Sequence, residues 1–214
     1  VKRVVTVTMN PSKGDYAFET TFLGERFSVR RLGADGNSTK AWELLRRNQG
    51  EADAMGLGEV ADHCDVGGRT ITNRATQRLL NVVTRVPVTT GATLRRLLQV
   101  RAVRHVQKEL GNYFNNNLVL FLSGMRNYDI AVALSDYTRN LSFADPVLQA
   151  GSPLLLTSLN QLELYARGNE FVAGSKPWRM LEGSLAALKN KRVAMALAKA
   201  HVVVGTYDEI RAVG

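Results

Sequence analysis

Cys64 is the only cysteine in the 214-residue chain, so no internal disulfide is available, and this usage fits a reducing cytoplasm. No apolar run approaches the roughly 18 residues that a bilayer-crossing helix needs, and no secretory signal opens the sequence. The composition therefore predicts a soluble globular protein with no membrane span. Also missing are an aromatic-plus-basic stripe, a helix-turn-helix signature and zinc-finger spacing, which leaves any nucleic-acid binding weak and non-specific. There is no internal repeat or low-complexity tract. The chain starts at Val1 without a methionine and ends at Gly214 just after a helix-like run, the expectation for part of a longer gene product.

Acidic residues are scarce relative to basic ones, giving a net charge of +9. The excess is uneven: residues 1 to 111 hold 18 Lys/Arg against 11 Asp/Glu, and residues 112 to 214 hold 10 against 8. Much of it is arginine, in Arg30-Arg31, Arg46-Arg47, Arg95-Arg96, Arg101 and Arg104, whose forked donors suit phosphate or carboxylate. Such a surface serves an anionic cofactor, nucleic acid, or solubility alone.

What the sequence does hold is alternating strand and helix signals. Val4 to Met9 reads as a strand, and Tyr16 to Phe22 with Arg26 to Leu32 as a hairpin with one face buried. Ser38 is placed to cap a helix whose inward face is Ala41, Leu44 and Leu45. Ala54 to Val60 and Val86 to Thr89 are short strands, the second kept to an edge or end by Pro87, and Thr76 to Val83 is helical. From Thr93 to Leu110 the period is helical, with Leu98, Ala102, Val103, Val106 and Leu110 inward and Arg101, Arg104 and Lys108 on a solvated basic face. Gly111 stops that helix. Leu154 to Ala166, Met180 to Lys189 and Val193 to Lys199 also read as helical, and His201 to Val204 as a third buried strand.

The most informative stretch is the apolar run from Leu118 to Leu122, followed by Ser123-Gly124-Met125-Arg126-Asn127, a helix from Ile130, and a second strand closing on Asp145. A strand buried on both faces, a glycine turn, a helix and a strand ending in an acid is the layout of a βαβ nucleotide-binding unit. Asp145 falls 21 residues after Gly124, near the spacing at which a carboxylate accepts from an adenosine ribose. In this reading Gly124, Met125, Arg126, Asn127, Asp145, Gly205 and Thr206 bind the cofactor, NAD or NADP. Arg126 meets the pyrophosphate beside the helix N-terminus, and Asp145 favours NAD by repelling a 2′-phosphate. Asp145-Pro146 has a plain use as well, ending a strand, and only Gly124 stands where a full G-x-G-x-x-G has three glycines. The expected fold is two-lobed α/β. Residues 1–111 form a mixed-sheet lobe ending in a long connecting helix, and residues 112–214 an incomplete, Rossmann-like parallel βαβ half-fold.

Leu23-Gly24-Glu25-Arg26-Phe27, Gly33-Ala34-Asp35-Gly36, Asp53-Ala54-Met55-Gly56-Leu57-Gly58, Val86-Pro87-Val88-Thr89-Thr90-Gly91 and Ala200-His201-Val202-Val203-Val204-Gly205 together resemble the quinate 5-dehydrogenase family, proteins similar to shikimate dehydrogenase. The resemblance implies an NAD(P)-dependent oxidoreductase acting on a small hydroxylated carboxylate in a cleft between lobes. It also implies a catalytic Lys and Asp, since hydride removal requires the hydroxyl proton to leave. Thr90 stands at the place of that acid, and no lysine lies in a matching motif, so no catalytic pair carries over and the catalytic residues are unassigned. The alternative is a non-catalytic anion-, nucleotide- or nucleic-acid-binding protein on the same scaffold. Asp62-His63-Cys64-Asp65 reads as a polar turn with a buried thiol, because adjacent residues converge poorly on one metal ion. Cys64 lacks a paired histidine motif, and His105 and His201 read as packed or surface residues.

Overall fold

The computed structural model describes residues 1–173 and 190–213, and the sequence-predicted helix from Met180 to Lys189 lies outside them. The chain divides into two compact units. The first is Val1–Asp62 with Thr72–Leu94, and the second is His63–Ile71 with Arg95–Gly214. Both are α/β.

In the first unit β1 (Lys2–Thr8) buries Val5 and Val7 between two parallel neighbours, β3 (Glu25–Gly33) and β4 (Ala54–Gly58). The sheet runs β2-β3-β1-β4-β7, where β2 (Tyr16–Phe22) is antiparallel to β3 and β7 is Val88–Thr89. Pro87 therefore precedes an edge strand, as its missing N–H requires. The expected half-buried hairpin is corrected: every residue of β2 is exposed, because among the described residues none of its side chains joins the core that covers β1 and β4. Helix α1 (Ser38–Asn48) turns Ala41 and Leu45 into the core, but its cap is Asn37 rather than Ser38. The Asn37 side chain accepts from the N–H groups of Thr39 and Lys40 at 2.9 and 3.1 Å. Asn73 caps α2 (Arg74–Leu80) in the same way, so that helix begins earlier than its apolar pattern indicates.

The second unit is organised by β8 (Val119–Phe121), which has β9 (Leu141–Phe143) on one side and β10 (Val202–Val204) on the other, all parallel. β8 is buried on both faces, as its continuous apolar run predicts. Val119 and Phe121 face a core with Phe143, Leu134 and Leu162, the two phenylalanine rings stacking at 5.0 Å. Leu120 and Leu122 face Val147, Leu148 and Val193. The ribbon of β5 (His63–Val66) and β6 (Arg69–Thr72) turns at Gly67-Gly68 and adds Val66 and Ile71 to the first of these cores.

Helix α3 (Ala92–Glu109) packs Val100, Val103 and Val106 into this second core. The division therefore falls at Leu94 rather than at residue 111, and the long helix belongs to the second unit instead of closing the first. Its rotation also differs from the expected one: Leu98, Ala102 and Leu110 are exposed. A polar residue sets the rotation. Gln107 is buried, accepts from the Phe114 N–H at 2.9 Å and donates to Asn115 at 2.8 Å, while Arg96 pairs with Asp65 at 2.7 Å.

Further along, α4 is Tyr128–Ser135, α5 is Asp145–Ala150, α6 is Leu159–Ala173, α7 is Lys191–Leu197 and α8 is Tyr207–Val213. Asp145-Pro146 starts a helix here, with Pro146 in the first turn, where its lost N–H is harmless, and a left-handed Gly151 closing it. The helix read from Leu154 begins only at Leu159, because Leu156 exchanges two backbone hydrogen bonds with Phe143. No helix among the described residues is long and apolar enough to cross a membrane.

The capping assignment predicts unequal effects in urea unfolding. Asn37→Ala is expected to cost about 1 kcal/mol, the usual value for losing a cap, and Ser38→Ala a few tenths at most.

Candidate functional site

The turn after β8 is built around a carboxylate. Asp145 is fully buried, and its two oxygens accept from the N–H groups of Gly124 at 2.8 Å and Met125 at 2.9 Å. Burial pushes its pKa up from an ordinary 3.8 to about 6. The Met125 and Gly124 amides pull the other way, and the charge of Glu209 adds to the rise. Gly124 is a glycine for reasons of space: a Cβ there would lie 2.3 Å from the Phe143 ring and 2.9 Å from Asp145 Oδ2. The close approach that the missing side chain permits is to Phe143 and Asp145.

A second carboxylate closes the neighbouring gap. Glu209, also buried, accepts from the Thr206 N–H at 2.7 Å and from the Ser123 hydroxyl, while its own N–H donates to Thr206 Oγ1 at 3.3 Å. Thr206 and Glu209 thereby form the reciprocal capping box of α8. Since β9 and β10 flank β8 on opposite sides, the carboxyl ends of β8 and β10 border the place where an open parallel sheet offers a crevice to ligands. Glu209 occupies it.

Of the residues expected to bind a cofactor, Gly124, Met125 and Asp145 are joined directly by hydrogen bonds, and Thr206 is linked to Ser123 through Glu209. A Cβ on Gly205 would sit 3.1 Å from Glu209 Oε2 and from Leu122. Asn127 is buried and donates to the Ser123 carbonyl at 2.8 Å, without capping α4 through its side chain. Arg126 is half-buried. Asp145 is thus engaged inward, with no oxygen presented to a ribose. Ser123 and Glu209 join this group from outside the expected set, and the Thr206-Tyr207-Asp208-Glu209 spacing is the capping-box signature that marks Glu209 in the sequence.

Cys64 ties the ribbon to the same turn. Its thiol donates to the Met125 carbonyl at 2.7 Å, and burial, with the charges of Asp145, Asp65 and Asp129, pushes it up to about 12. A thiol held that high supplies no thiolate nucleophile near neutral pH. Among the described residues no three His, Cys, Asp or Glu side chains are arranged to hold a metal ion. His201 Nδ1 accepts from the Leu118 N–H at 3.1 Å, and His105 is exposed. In the first unit the Thr90 hydroxyl donates to Asp62 Oδ1 at 3.0 Å.

The basic excess is redistributed by the division of the chain. Six of the 18 cations before residue 112 belong to the second unit, namely Arg69, Arg95, Arg96, Arg101, Arg104 and Lys108. Arg96, though exposed, pairs with Asp65 and Asp129. Arg95, Arg101, Arg104 and Lys108 are exposed and make no ion pair among the described residues.

Comparison with known families gives two matches. Residues 93–214 match the family described as Domain of unknown function (DUF8754), and residues 3–90 match Domain of unknown function (DUF8753). The two matches meet close to the division at Leu94. No curated protein matches. Among solved structures, the chain aligns with the catalytic subunit of M. jannaschii aspartate transcarbamoylase at a TM-score of 0.31 and 15% identity. The alignment covers 66% of this chain and 46% of that one, so this chain spans less than half of that subunit, and a likeness this low carries no argument.

Two measurements check the turn. Carboxyl carbon NMR is expected to show one aspartate titrating near pH 6, shifting only slightly downward in Glu209→Gln, because burial rather than the neighbouring charge is the main cause of the rise. Because the folded pKa is raised, the stability from this group is fully present below about pH 4 and is lost as the pH rises through about 6. Gly124→Ala is expected to cost at least about 1–3 kcal/mol by overpacking against Phe143.

Proposed function

The chain belongs to the family described as Domain of unknown function (DUF8754), whose description names no activity, and we propose that it is a non-catalytic anion-binding protein on a Rossmann-like half-fold. The observation that carries this reading is the Asp145 carboxylate on the Gly124 and Met125 amides. A dinucleotide turn works by offering backbone N–H groups to a pyrophosphate. Here those groups already have an anion of the protein's own, and a second buried carboxylate, Glu209, lies beside it. A phosphate approaching the turn meets negative charge and no free amide at Gly124 or Met125.

The anion-binding surface in this reading is α3. Arg95, Arg101, Arg104 and Lys108 are exposed on it, and Glu109 is the helix's one acid. The four cations give a long-range attraction that needs no pocket, and it weakens with salt because the attraction is between solvated charges.

One observation favours the other reading, an NAD(P)-dependent oxidoreductase of the quinate/shikimate type acting on a small hydroxylated carboxylate. Asp62 lies 3.0 Å from Thr90 and offers a carboxylate at the position where the resemblance expects an acid. The proton of the substrate hydroxyl would then pass to Asp62.

Calorimetry on the full chain separates the two. The expected result is no heat with NAD or NADP at millimolar concentration, and no reduction of either nucleotide in the presence of quinate or shikimate. In parallel, labelled oligo(dT) is expected to bind weakly, with a log–log salt slope near −2 for the three cations Arg101, Arg104 and Lys108 that share one face, or roughly a 20-fold loss between 50 and 200 mM salt. A micromolar dissociation constant for either nucleotide, with turnover abolished by Asp62→Asn, would replace this reading with the oxidoreductase.

A further inference from the structure

We propose that the outward face of α3 docks an acidic, amphipathic polypeptide segment, an inference that rests on the anion-binding reading and names its partner. Leu97 and Leu98 are each 56% exposed, and neither joins the core into which Val100, Val103 and Val106 pack. At about 100° per residue, Leu97, Leu98, Arg101, Arg104, His105 and Lys108 fall within an arc of about 120°. That arc lies opposite buried Val103 and Gln107. The face is apolar along its first half and cationic along its second.

This order along the helix axis decides between partners. A phosphate backbone would use Arg101, Arg104 and Lys108 and leave two exposed leucines without a counterpart. A bilayer surface takes helices whose apolar stripe runs the full length with cations on its flanks, and here the two characters follow one another instead. A partner helix with leucine-type residues at one end and glutamates at the other covers both halves at once. It buries Leu97 and Leu98 and pairs the free cations, two of which are arginines able to hold a carboxylate through two donors.

The test uses fluorescence anisotropy on the full chain with a labelled synthetic helix of about 18 residues, leucines on one half of a face and glutamates on the other. A scrambled peptide of equal composition, labelled oligo(dT), and vesicles of 4:1 phosphatidylcholine and phosphatidylglycerol serve as the other probes. The ordered peptide is expected to bind at least about tenfold more tightly than its scramble, the margin that burying leucine surface supplies. Leu97→Ser with Leu98→Ser should erase that margin and leave oligo(dT) binding unchanged. Both positions are on the surface, so the variant should retain the wild-type melting temperature, and Arg101→Glu with Arg104→Glu should weaken every anionic probe. Equal affinity for peptide and scramble, with oligo(dT) binding intact, overturns this inference and leaves the anion-binding reading standing. Failure of all probes overturns both, and vesicle binding that depends on Leu97 and Leu98 overturns it in favour of a lipid surface.

Discussion

The second unit depends on one charge placed where water cannot reach it. The Asp145 carboxylate holds two successive amides of the turn after β8, which fixes the path of Ser123 to Asn127 and with it the start of α4. An ion in that position is costly unless its lone pairs are filled. Two backbone N–H groups fill them in part, and the raised pKa records what remains unfavourable. Everything near the turn is arranged to tolerate this: Gly124 has no side chain, Phe143 stacks on Phe121, and Leu162 closes above the glycine.

The same turn is reached from two further directions. Glu209 arrives through the capping box of α8, and Cys64 through the ribbon. Three side chains from distant parts of the sequence thus converge on three successive residues, Ser123, Gly124 and Met125, which makes the turn a junction of the unit rather than a loop at its rim. A ligand loop is normally among the least anchored parts of a domain, since it must accommodate what it binds. This one is held on three sides by its own protein.

Much of this was legible in the residues. The run from Leu118 to Leu122 states that β8 is covered on both faces, and Pro87 states that β7 lies at an edge. The proximity of Asp145 to Gly124 was legible too, from a spacing of 21 residues. The direction of its side chain was not. A carboxylate at that distance can reach out to a ribose or in to the turn, and the choice is made by the chain beyond it. Pro146 starts α5 at once, and the acid is carried inward on the first turn of a helix instead of standing at a strand tip. The rotation of α3 was hidden for a related reason. Its apolar residues fit more than one inward face, and the tie is broken by polar side chains, Gln107 and Arg96, which a hydrophobic pattern ignores. The place of Glu209 is written in the Thr206-Tyr207-Asp208-Glu209 spacing of a capping box.

The ribbon His63–Ile71 carries a consequence in time rather than in space. It lies in the sequence inside the first unit and in the structure inside the second. As the chain leaves the ribosome, residues up to Leu94 complete the first sheet while Val66 and Ile71 still lack Phe121, Phe143 and Leu162, with which they share a core. The ribbon must wait, apolar side chains uncovered, until strands made much later arrive. No single cut therefore yields two whole units, and the ribbon's apolar side chains gain their core partners only after the later strands are made.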